Sequence, residues 1–313
     1  MSNGDQWTAN DIPDQSGRIA IVTGANSGLG SETALALAAK GAHVVLACRD
    51  AARAQGALDA ISAAAPNASL EVMPLDLASL ASIRAFAEAF AKRYATFDLL
   101  CNNAGVMAIP RRSTADGFEM QLGTNHLGHF ALTGLLLQRL LDTPRSRVVN
   151  VSSSAHRPGK IHFDDLQLER GYGKWKAYAQ SKLANLLFSF ELDRRLRKAG
   201  ASVISVAAHP GYAATNLQTV AAKMEGSKLS ERFFEFGNRL FAQSAAMGAL
   251  PTLHGATAPS VQGGDYYGPD RFFESWGHPK KVGSTTRAQD TAAAAQLWEI
   301  SESLTDVRYA ALA

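Results

Sequence analysis

Short apolar runs alternate with longer helix-forming segments through the first two thirds of the chain. The runs are rich in Val, Ile and Leu, which is typical of buried strands, and they lie at residues 18–23, 43–47, 70–73, 97–101, 147–151 and 202–207. The segments between them predict helices at 31–40, 51–64, 80–94, 127–141 and around Tyr178. Strands that alternate with helices favour an α/β fold with a parallel sheet. Right-handed crossovers make it a doubly wound, Rossmann-like sheet of about seven strands in the order 3-2-1-4-5-6-7, with helices on both faces.

This alternation fades after Pro210-Gly211. Residues 212–242 hold short helical patterns and an aromatic segment at 233–241, and they are followed by a helix at 243–254, a short strand near 265–267 and a last helix at 287–302. No linker-like change of composition interrupts the chain. We therefore predict a flexible lead-in at 1–16 and a single domain at 17–313, with an elaboration at 212–242.

Composition narrows the class of protein. Hydrophobic residues make up 46% of the chain and charged residues 19%, as in a globular enzyme with a large core. The net charge is only +3 and no basic run suggests nucleic acid. Cys48 and Cys101 stand at unrelated spacing, which favours a reducing cytoplasm over a disulfide framework. No apolar run reaches membrane-spanning length, so we expect no membrane span.

A glycine turn stands between the first strand and the first helix. Gly24, Gly28 and Gly30 form the spacing G-x-x-x-G-x-G, which differs from the common dinucleotide motif G-x-G-x-x-G. Glycines at such a turn let backbone amides approach a pyrophosphate at the helix N-terminus. Glycines in a left-handed turn need no ligand, but the order of strand, turn and helix favours a bound nucleotide.

Tyr178 and Lys182 are four residues apart, so on a helix their side chains share one face. A phenol with a pKa of about 10 is a poor base at neutral pH, and a nearby ammonium stabilises the phenolate. Such a pair can pass a proton to or from a substrate oxygen. The same spacing also occurs at many protein surfaces. The catalytic interpretation of the pair therefore needs further motifs elsewhere in the chain.

Four motifs in order carry a family resemblance: Thr23-Gly24-Ala25-Asn26-Ser27-Gly28-Leu29-Gly30, Asn102-Asn103-Ala104-Gly105, Tyr178-Ala179-Gln180-Ser181-Lys182 and Pro210-Gly211. Together they resemble the short-chain dehydrogenase/reductase (SDR) family. The runs 149–156 and 181–185 are similar to its retinol-dehydrogenase-like branch. The resemblance implies an oxidoreductase that transfers a hydride between a nicotinamide dinucleotide and a carbonyl or alcohol substrate.

The resemblance also implies a set of cofactor contacts. They are Gly24, Asn26, Ser27, Gly28, Leu29, Gly30, Arg49, Asp76, Leu77, Asn103, Ala104, Gly105, Tyr178, Lys182, Pro210, Gly211 and Thr215. The family's acidic position, which binds the ribose 2′-hydroxyl, falls on Cys48, and Arg49 follows it. A guanidinium matches a 2′-phosphate, so NADP(H) is favoured and NAD(H) stays possible. The other interpretation is that Arg49 faces solvent and Asp50 only caps the next helix.

By resemblance, Tyr178 is the general acid/base, and Lys182 lowers its pKa and holds the nicotinamide ribose. Ser153 would bind the substrate oxygen, although strand geometry alone does not choose it over Ser152 and Ser154. Asn125 would complete a catalytic tetrad by seating a water that relays protons to Lys182. A helix cap or a local kink would also explain Asn125. The histidines show no metal-ligand spacing, so no metal is expected.

The long loop 152–173 predicts a flap over one wall of the substrate pocket. The aromatic segment 233–241 would form the other wall or pack in the core, and the first possibility implies an apolar small molecule such as an aldehyde, ketone, retinoid or steroid. Relatives in the family often associate through the helices that correspond to 114–141 and 176–199, which implies a homodimer or homotetramer.

Three other functions stay open on the sequence alone. A double-bond reductase similar to the light-dependent protochlorophyllide reductases would share the Tyr/Lys pair. An epimerase or dehydratase of the extended branch would resemble G-x-x-G-x-x-G, which this chain lacks. A non-catalytic NADP-binding regulator would show a damaged tetrad, whereas all four positions are intact here.

Overall fold

The computed structural model describes residues 6–213 and 243–312. Within them, an eight-stranded sheet runs in the order β3-β2-β1-β4-β5-β6-β7-β8. The strands are β1 (Ile19–Thr23), β2 (His43–Cys48), β3 (Ser69–Pro74), β4 (Leu99–Asn102), β5 (Arg147–Val151), β6 (Ile204–Ala208), β7 (Tyr266–Arg271) and β8 (Trp276–Lys281). β1 to β7 pair in parallel and β8 is antiparallel to β7. The predicted doubly wound sheet and its strand order are confirmed.

Helices cover both faces of the sheet. They are α1 (Gly28–Ala39), α2 (Ala51–Ala64), α3 (Leu80–Arg93), α4 (Gly128–Leu141), α5 (Lys174–Lys198), α6 (Ala245–Thr257) and α7 (Thr291–Thr305). Side chains of β1 alternate between the two cores, because successive residues of a strand point to opposite faces. Ile21 packs with Phe86 and Phe130 on one face, and Val22 packs with Leu37 on the other.

The eighth strand was not expected from the sequence. β8 contains Gly277 and Pro279 and ends in two lysines, so it carries no alternating apolar pattern. Proline is tolerated there because β8 lies at the edge of the sheet, where one side of the strand needs no hydrogen-bond partner.

The chain is irregular just before the helix that was expected at 127–141. A single turn at Met120–Leu122 and a π-helical stretch at Gly123–Leu127 lead into α4. Side chains on a π-helical stretch are rotated relative to those of a regular helix, and such stretches are frequent at functional sites. Asn125 lies in the middle of this stretch.

The first described residues pack on the rest of the structure. Trp7 contacts the ring of His254 with centroids 5.0 Å apart, and the side chain of Ile12 is buried. Thr215 and the aromatic segment 233–241 lie outside the described residues. Among the residues that are described, no helix is long and apolar enough to cross a bilayer.

Candidate active site

The glycine turn closes tightly between β1 and α1. Gly24 and Gly28 have φ angles of +67° and +54°, a region that side chains disfavour. A Cβ on Gly30 would clash with the Gly24 carbonyl oxygen and lie 2.6 Å from Asn103 Nδ2, so only glycine lets α1 approach the turn and the loop after β4 this closely. In the described structure, the N-cap residue Ser27 makes no side-chain capping hydrogen bond. The first amides of α1 are therefore available to an anion, and the turn fits a dinucleotide pyrophosphate.

Thr23 ties this turn to the loop after β4. Its hydroxyl accepts hydrogen bonds from the backbone amides of Asn103 and Ala104, both at 2.9 Å. The Asn103 side chain donates in return to the Thr23 carbonyl at 2.8 Å. Two of the predicted cofactor contacts are thus held in place by a residue to which the sequence reasoning assigned no role. The signal that could have found it is its place at the start of the glycine motif.

Cys48 and Arg49, at the end of β2, lie in different surroundings. The Cys48 side chain is buried beneath the glycine turn and accepts hydrogen bonds from the backbone of Ala25 and Asn26; burial raises the pKa of its thiol to about 11. Arg49 is exposed, and Asp50 caps α2 by accepting a hydrogen bond from the Arg53 amide at 3.0 Å. The capping role that the sequence suggested for Asp50 is confirmed. The exposed Arg49 guanidinium lies at the surface, where a ligand can reach it.

Asp76 and Leu77 follow β3 at the same edge of the sheet. A carboxylate oxygen of Asp76 accepts the Ala78 amide at 3.0 Å, and the Asp76 amide donates to the Ser82 hydroxyl at 2.9 Å. These bonds hold the turn that carries Leu77, whose side chain is buried. Contact of Asp76 and Leu77 with an adenine ring stays a prediction.

Tyr178 and Lys182 lie side by side on α5, as their spacing predicts. Lys182 Nζ is 5.8 Å from the centroid of the Tyr178 ring and donates to the Val151 carbonyl at 3.0 Å. Burial raises the pKa of Tyr178 to about 12, against an opposing hydrogen bond from Ser153, and burial lowers the pKa of Lys182 to about 8. The lowering of the Tyr178 pKa that was expected from Lys182 is therefore not found: burial raises this pKa, and only Ser153 opposes the rise.

The three serines after β5 have different surroundings. The Ser152 hydroxyl is committed to the Lys182 carbonyl at 2.8 Å, and Ser154 is exposed. The Ser153 hydroxyl is near enough to the Tyr178 phenol to oppose the rise of its pKa, and it accepts the Ala155 amide at 3.2 Å. Tertiary contacts therefore single out Ser153, which strand geometry could not do.

Asn125 is fully buried beside the lysine. Its side chain exchanges hydrogen bonds with the backbone of Val106 at 2.8 and 2.9 Å and donates to the Ser181 hydroxyl at 2.9 Å. A Cβ on Gly105 would lie 3.0 Å from Asn125 Oδ1 and 3.7 Å from Lys182 Nζ, so the two side chains share this corner. The four residues predicted to be catalytic lie together in the structure.

Pro210 and Gly211 follow β6 at the same edge. Gly211 has a φ angle of +65°, and a Cβ there would lie 2.7 Å from Pro269. The Pro210 carbonyl accepts the Gln243 side chain at 2.7 Å. Every predicted site residue within the described chain therefore lies at the carboxyl edge of the sheet, where ligands of open α/β sheets bind.

Gln121 is a buried residue of this site that the sequence reasoning missed. Its carbonyl oxygen accepts the Ala108 amide at 2.7 Å, and its amide donates to Tyr172 at 3.0 Å and to the Lys174 carbonyl at 2.9 Å. These bonds join the loop after β4 to the loop that precedes α5. No local pattern marks Gln121, because its partners are up to 53 residues away.

A glycine turn at the carboxyl edge of a doubly wound sheet, with a buried tyrosine and lysine beside it, defines a nucleotide-dependent oxidoreductase. The family model of the short chain dehydrogenases matches residues 18–226, and the chain belongs to this family. Human retinol dehydrogenase 12 is 42% identical over 295 residues, which cover 94% of this chain and 88% of that protein. The molecule is thus an NAD(P)-dependent dehydrogenase/reductase of the retinol-dehydrogenase-like branch.

Solved structures agree with this assignment. An uncharacterised protein of Mycobacterium paratuberculosis is 44% identical, with a TM-score of 0.81, and the match covers 97% of this chain and 99% of that one. A protein described as a gluconate 5-dehydrogenase of Beutenbergia cavernae, solved with bound NADP, is 27% identical with a TM-score of 0.61; 81% of this chain and 95% of that chain are covered.

Proposed function

We propose that the protein transfers a hydride between NADP(H) and an apolar carbonyl or alcohol, with Tyr178 as the general acid/base. The observation that carries the proposal is the convergence of Tyr178, Ser153, Lys182 and Asn125 beside a glycine turn that fits a dinucleotide. A nicotinamide bound there would supply or accept the hydride.

The side chains of the site have separate roles in this reaction. When a carbonyl is reduced, negative charge develops on its oxygen, and that oxygen needs a proton donor and a hydrogen bond. The Tyr178 phenol donates the proton and the Ser153 hydroxyl orients the oxygen. Lys182 stabilises the phenolate that remains and holds the ribose. Asn125 seats a water through which Lys182 exchanges protons with solvent.

The end of β2 supports NADP(H) over NAD(H). An acidic side chain at this position would bind a ribose 2′-hydroxyl and repel a 2′-phosphate, whereas Cys48 is uncharged and buried. Arg49 stands exposed next to it and can form a charge-assisted hydrogen bond to the phosphate.

Replacing Arg49 tests the cofactor preference. Arg49→Ala should raise the KM for NADPH about tenfold, because one charge-assisted hydrogen bond at an exposed site is lost. The KM for NADH should change less than twofold, since no 2′-phosphate is present. Steady-state kinetics with both nucleotides measures the ratio. Equal losses with both would contradict recognition of the phosphate by Arg49.

An apolar substrate is supported by the entrance to the site. Trp175 is half exposed, and its ring stands edge-on to the Tyr178 ring with centroids 6.1 Å apart. The relatives named retinol dehydrogenases point to the same class of substrate. The two cysteines are unpaired and buried, which suits the cytoplasm that we propose as the compartment.

Turnover by the Tyr178→Phe variant is the direct test. The parent enzyme is screened with aldehydes, ketones, retinoids and steroids, and consumption of NADPH and NADH is followed by absorbance. With the best substrate, Tyr178→Phe should lose about 10²-fold to 10⁴-fold in kcat, because the proton donor is gone. The Kd for NADPH should stay within about twofold, since the phenol adds little to nucleotide binding. Turnover that survives the substitution would refute Tyr178 as the acid/base. If the unmodified protein binds NADPH but turns over no carbonyl compound, it is a regulator and not an enzyme of this class.

A further inference from the structure

His129 is a buried residue that none of the roles above uses. It lies in the first turn of α4, between the end of β1 and the π-helical stretch that carries Asn125. Only 2% of its surface is exposed. Its ring bridges two groups of the site: Nδ1 is 2.9 Å from the Asn125 carbonyl oxygen, and Nε2 is 3.0 Å from Thr23 Oγ1.

The positions of the hydrogen atoms follow from these partners. A carbonyl oxygen can only accept, so the Nδ1 atom of His129 carries a hydrogen and donates it to Asn125. Burial and the nearby Lys182 charge lower the pKa of His129 to about 4, so the ring is neutral at physiological pH and Nε2 holds a lone pair. The Thr23 hydroxyl therefore donates to Nε2.

The same Thr23 hydroxyl accepts the amides of Asn103 and Ala104. Its longer contact to the Cys101 carbonyl, at 3.3 Å, competes for the single hydroxyl hydrogen and is the weaker of the two. The hydrogen bonds thus run in one direction, from the loop after β4 through Thr23 and His129 to the Asn125 carbonyl. A neutral ring with one hydrogen, already donated, serves here as a connector and not as an acid.

We propose that His129 is a positioning residue that couples the nucleotide edge of the site, through Thr23, to the backbone of Asn125. The inference rests on the proposed function, because that function is what gives Asn125 a catalytic role beside Lys182. The Asn125 carbonyl lies in a π-helical stretch, where the regular helical hydrogen-bond pattern is interrupted, and the His129 ring supplies it with a donor from the side. The orientation of the Asn125 peptide then depends on the same contacts that hold the loop at Asn103.

Two substitutions of His129 remove the two hydrogen bonds of its ring one at a time. His129→Asn keeps a donor near the position of Nδ1 and removes the acceptor for Thr23. His129→Gln keeps an acceptor near the position of Nε2 and removes the donor to Asn125. Both are neutral and polar, so they are matched controls for each other in burial and charge.

The expected result is a split between kcat and KM. His129→Gln should lower kcat about 30-fold or more while the KM for NADPH stays within about twofold, because displacement of a catalytic group by an ångström costs this order of rate. His129→Asn should keep kcat within about threefold of the parent but raise the KM for NADPH about threefold or more, because the Thr23 hydroxyl loses a hydrogen-bond partner at the nucleotide edge. Equal losses of kcat in both variants, or no loss in either, would overturn the proposal, since a role in packing alone does not distinguish the two ends of the ring.

A measurement without substrate keeps this test separate from that of the proposed function. ¹⁵N NMR of the imidazole rings, with the His129 signals identified by their absence in His129→Asn, reports which nitrogen is protonated. A hydrogen on Nδ1 alone at pH 7 supports the inference even if no carbonyl substrate is found. A hydrogen on Nε2 would overturn it, because the bond to the Asn125 carbonyl could not then form.

Discussion

Tyr178 and Lys182 are both buried, and burial acts on their protonation in opposite directions. It raises the pKa of the Tyr178 phenol to about 12 and lowers the pKa of the Lys182 ammonium to about 8. The phenol therefore stays protonated across the physiological range and is ready to donate. Lys182 is the member of the pair that titrates within that range.

This difference predicts the pH dependence of carbonyl reduction. Lys182 is protonated below its pKa and loses its charge as the pH rises, so kcat/KM should fall above a pH of about 8. In Lys182→Arg the decline should move above pH 10, because a guanidinium keeps its charge. Initial rates at saturating NADPH, taken from pH 6 to pH 10, measure both profiles. A flat parent profile up to pH 9.5 would contradict the assignment, and ¹⁵N NMR of the lysine amines gives the same pKa if the arginine variant is inactive.

The glycine turn is the element on which nucleotide binding depends. Its tight closure depends on the missing side chain at Gly30, where a Cβ would clash with the Gly24 carbonyl oxygen and lie 2.6 Å from Asn103 Nδ2 in the loop after β4. Gly56 in α2 offers a matched comparison, because a Cβ there meets nothing within 4 Å. Both glycines are helical and neither has a positive φ angle.

Gly30→Ala and Gly56→Ala should therefore change the protein in opposite directions. Gly30→Ala should weaken NADPH binding at least tenfold and destabilise the fold by about 1–3 kcal/mol, because the added methyl overpacks the turn. Gly56→Ala should stabilise the fold by about 0.5–1 kcal/mol, since alanine is the better helix former, and leave NADPH binding unchanged. Calorimetric titration and urea unfolding measure both effects. Normal affinity in Gly30→Ala would show that the turn does not hold the nucleotide.

At the scale of the whole molecule, α5 is enclosed on all sides. Its residues from Ala177 to Asp193 are buried, which is typical of a helix inside a core and not of one at the surface. Trp298 of α7 packs on Phe130 and Phe188 with ring centroids 5.2 and 5.8 Å away, and the Arg195 guanidinium lies 4.4 Å from the Trp298 ring. α7 thus covers part of α4 and α5, the two helices through which the family resemblance expects a partner chain to bind. A homodimer or homotetramer stays a prediction, and it would need other parts of these helices or another surface.

Removal of the Trp298 side chain tests how much this cover contributes to stability. Trp298→Ala should lower the free energy of unfolding by about 3–5 kcal/mol, because a buried aromatic side chain leaves a cavity. Phe273→Ala is the control: that side chain is fully exposed, so the change should stay within about 0.5 kcal/mol. Urea unfolding measures both, and light scattering after gel filtration gives the mass of each. Similar stabilities of the two variants would show that α7 is not part of the core.

The sequence by itself determined the order of strands and helices, the glycine turn, the place of Asp50 as a cap and the pairing of Tyr178 with Lys182. These features depend on residues close together in the chain, where periodicity and turn chemistry act. They also include the fold class, because an alternation of buried strands and helices has few ways to pack.

Only the tertiary structure decided between Ser152, Ser153 and Ser154, revealed β8 and the π-helical stretch at Asn125, and joined Thr23 to His129. These features arise from contacts between segments far apart in sequence; Thr23 and His129 are 106 residues apart. The protonation of the buried groups was decided there too, because a pKa depends on the water and charges that surround a side chain in the fold and not on its neighbours along the chain.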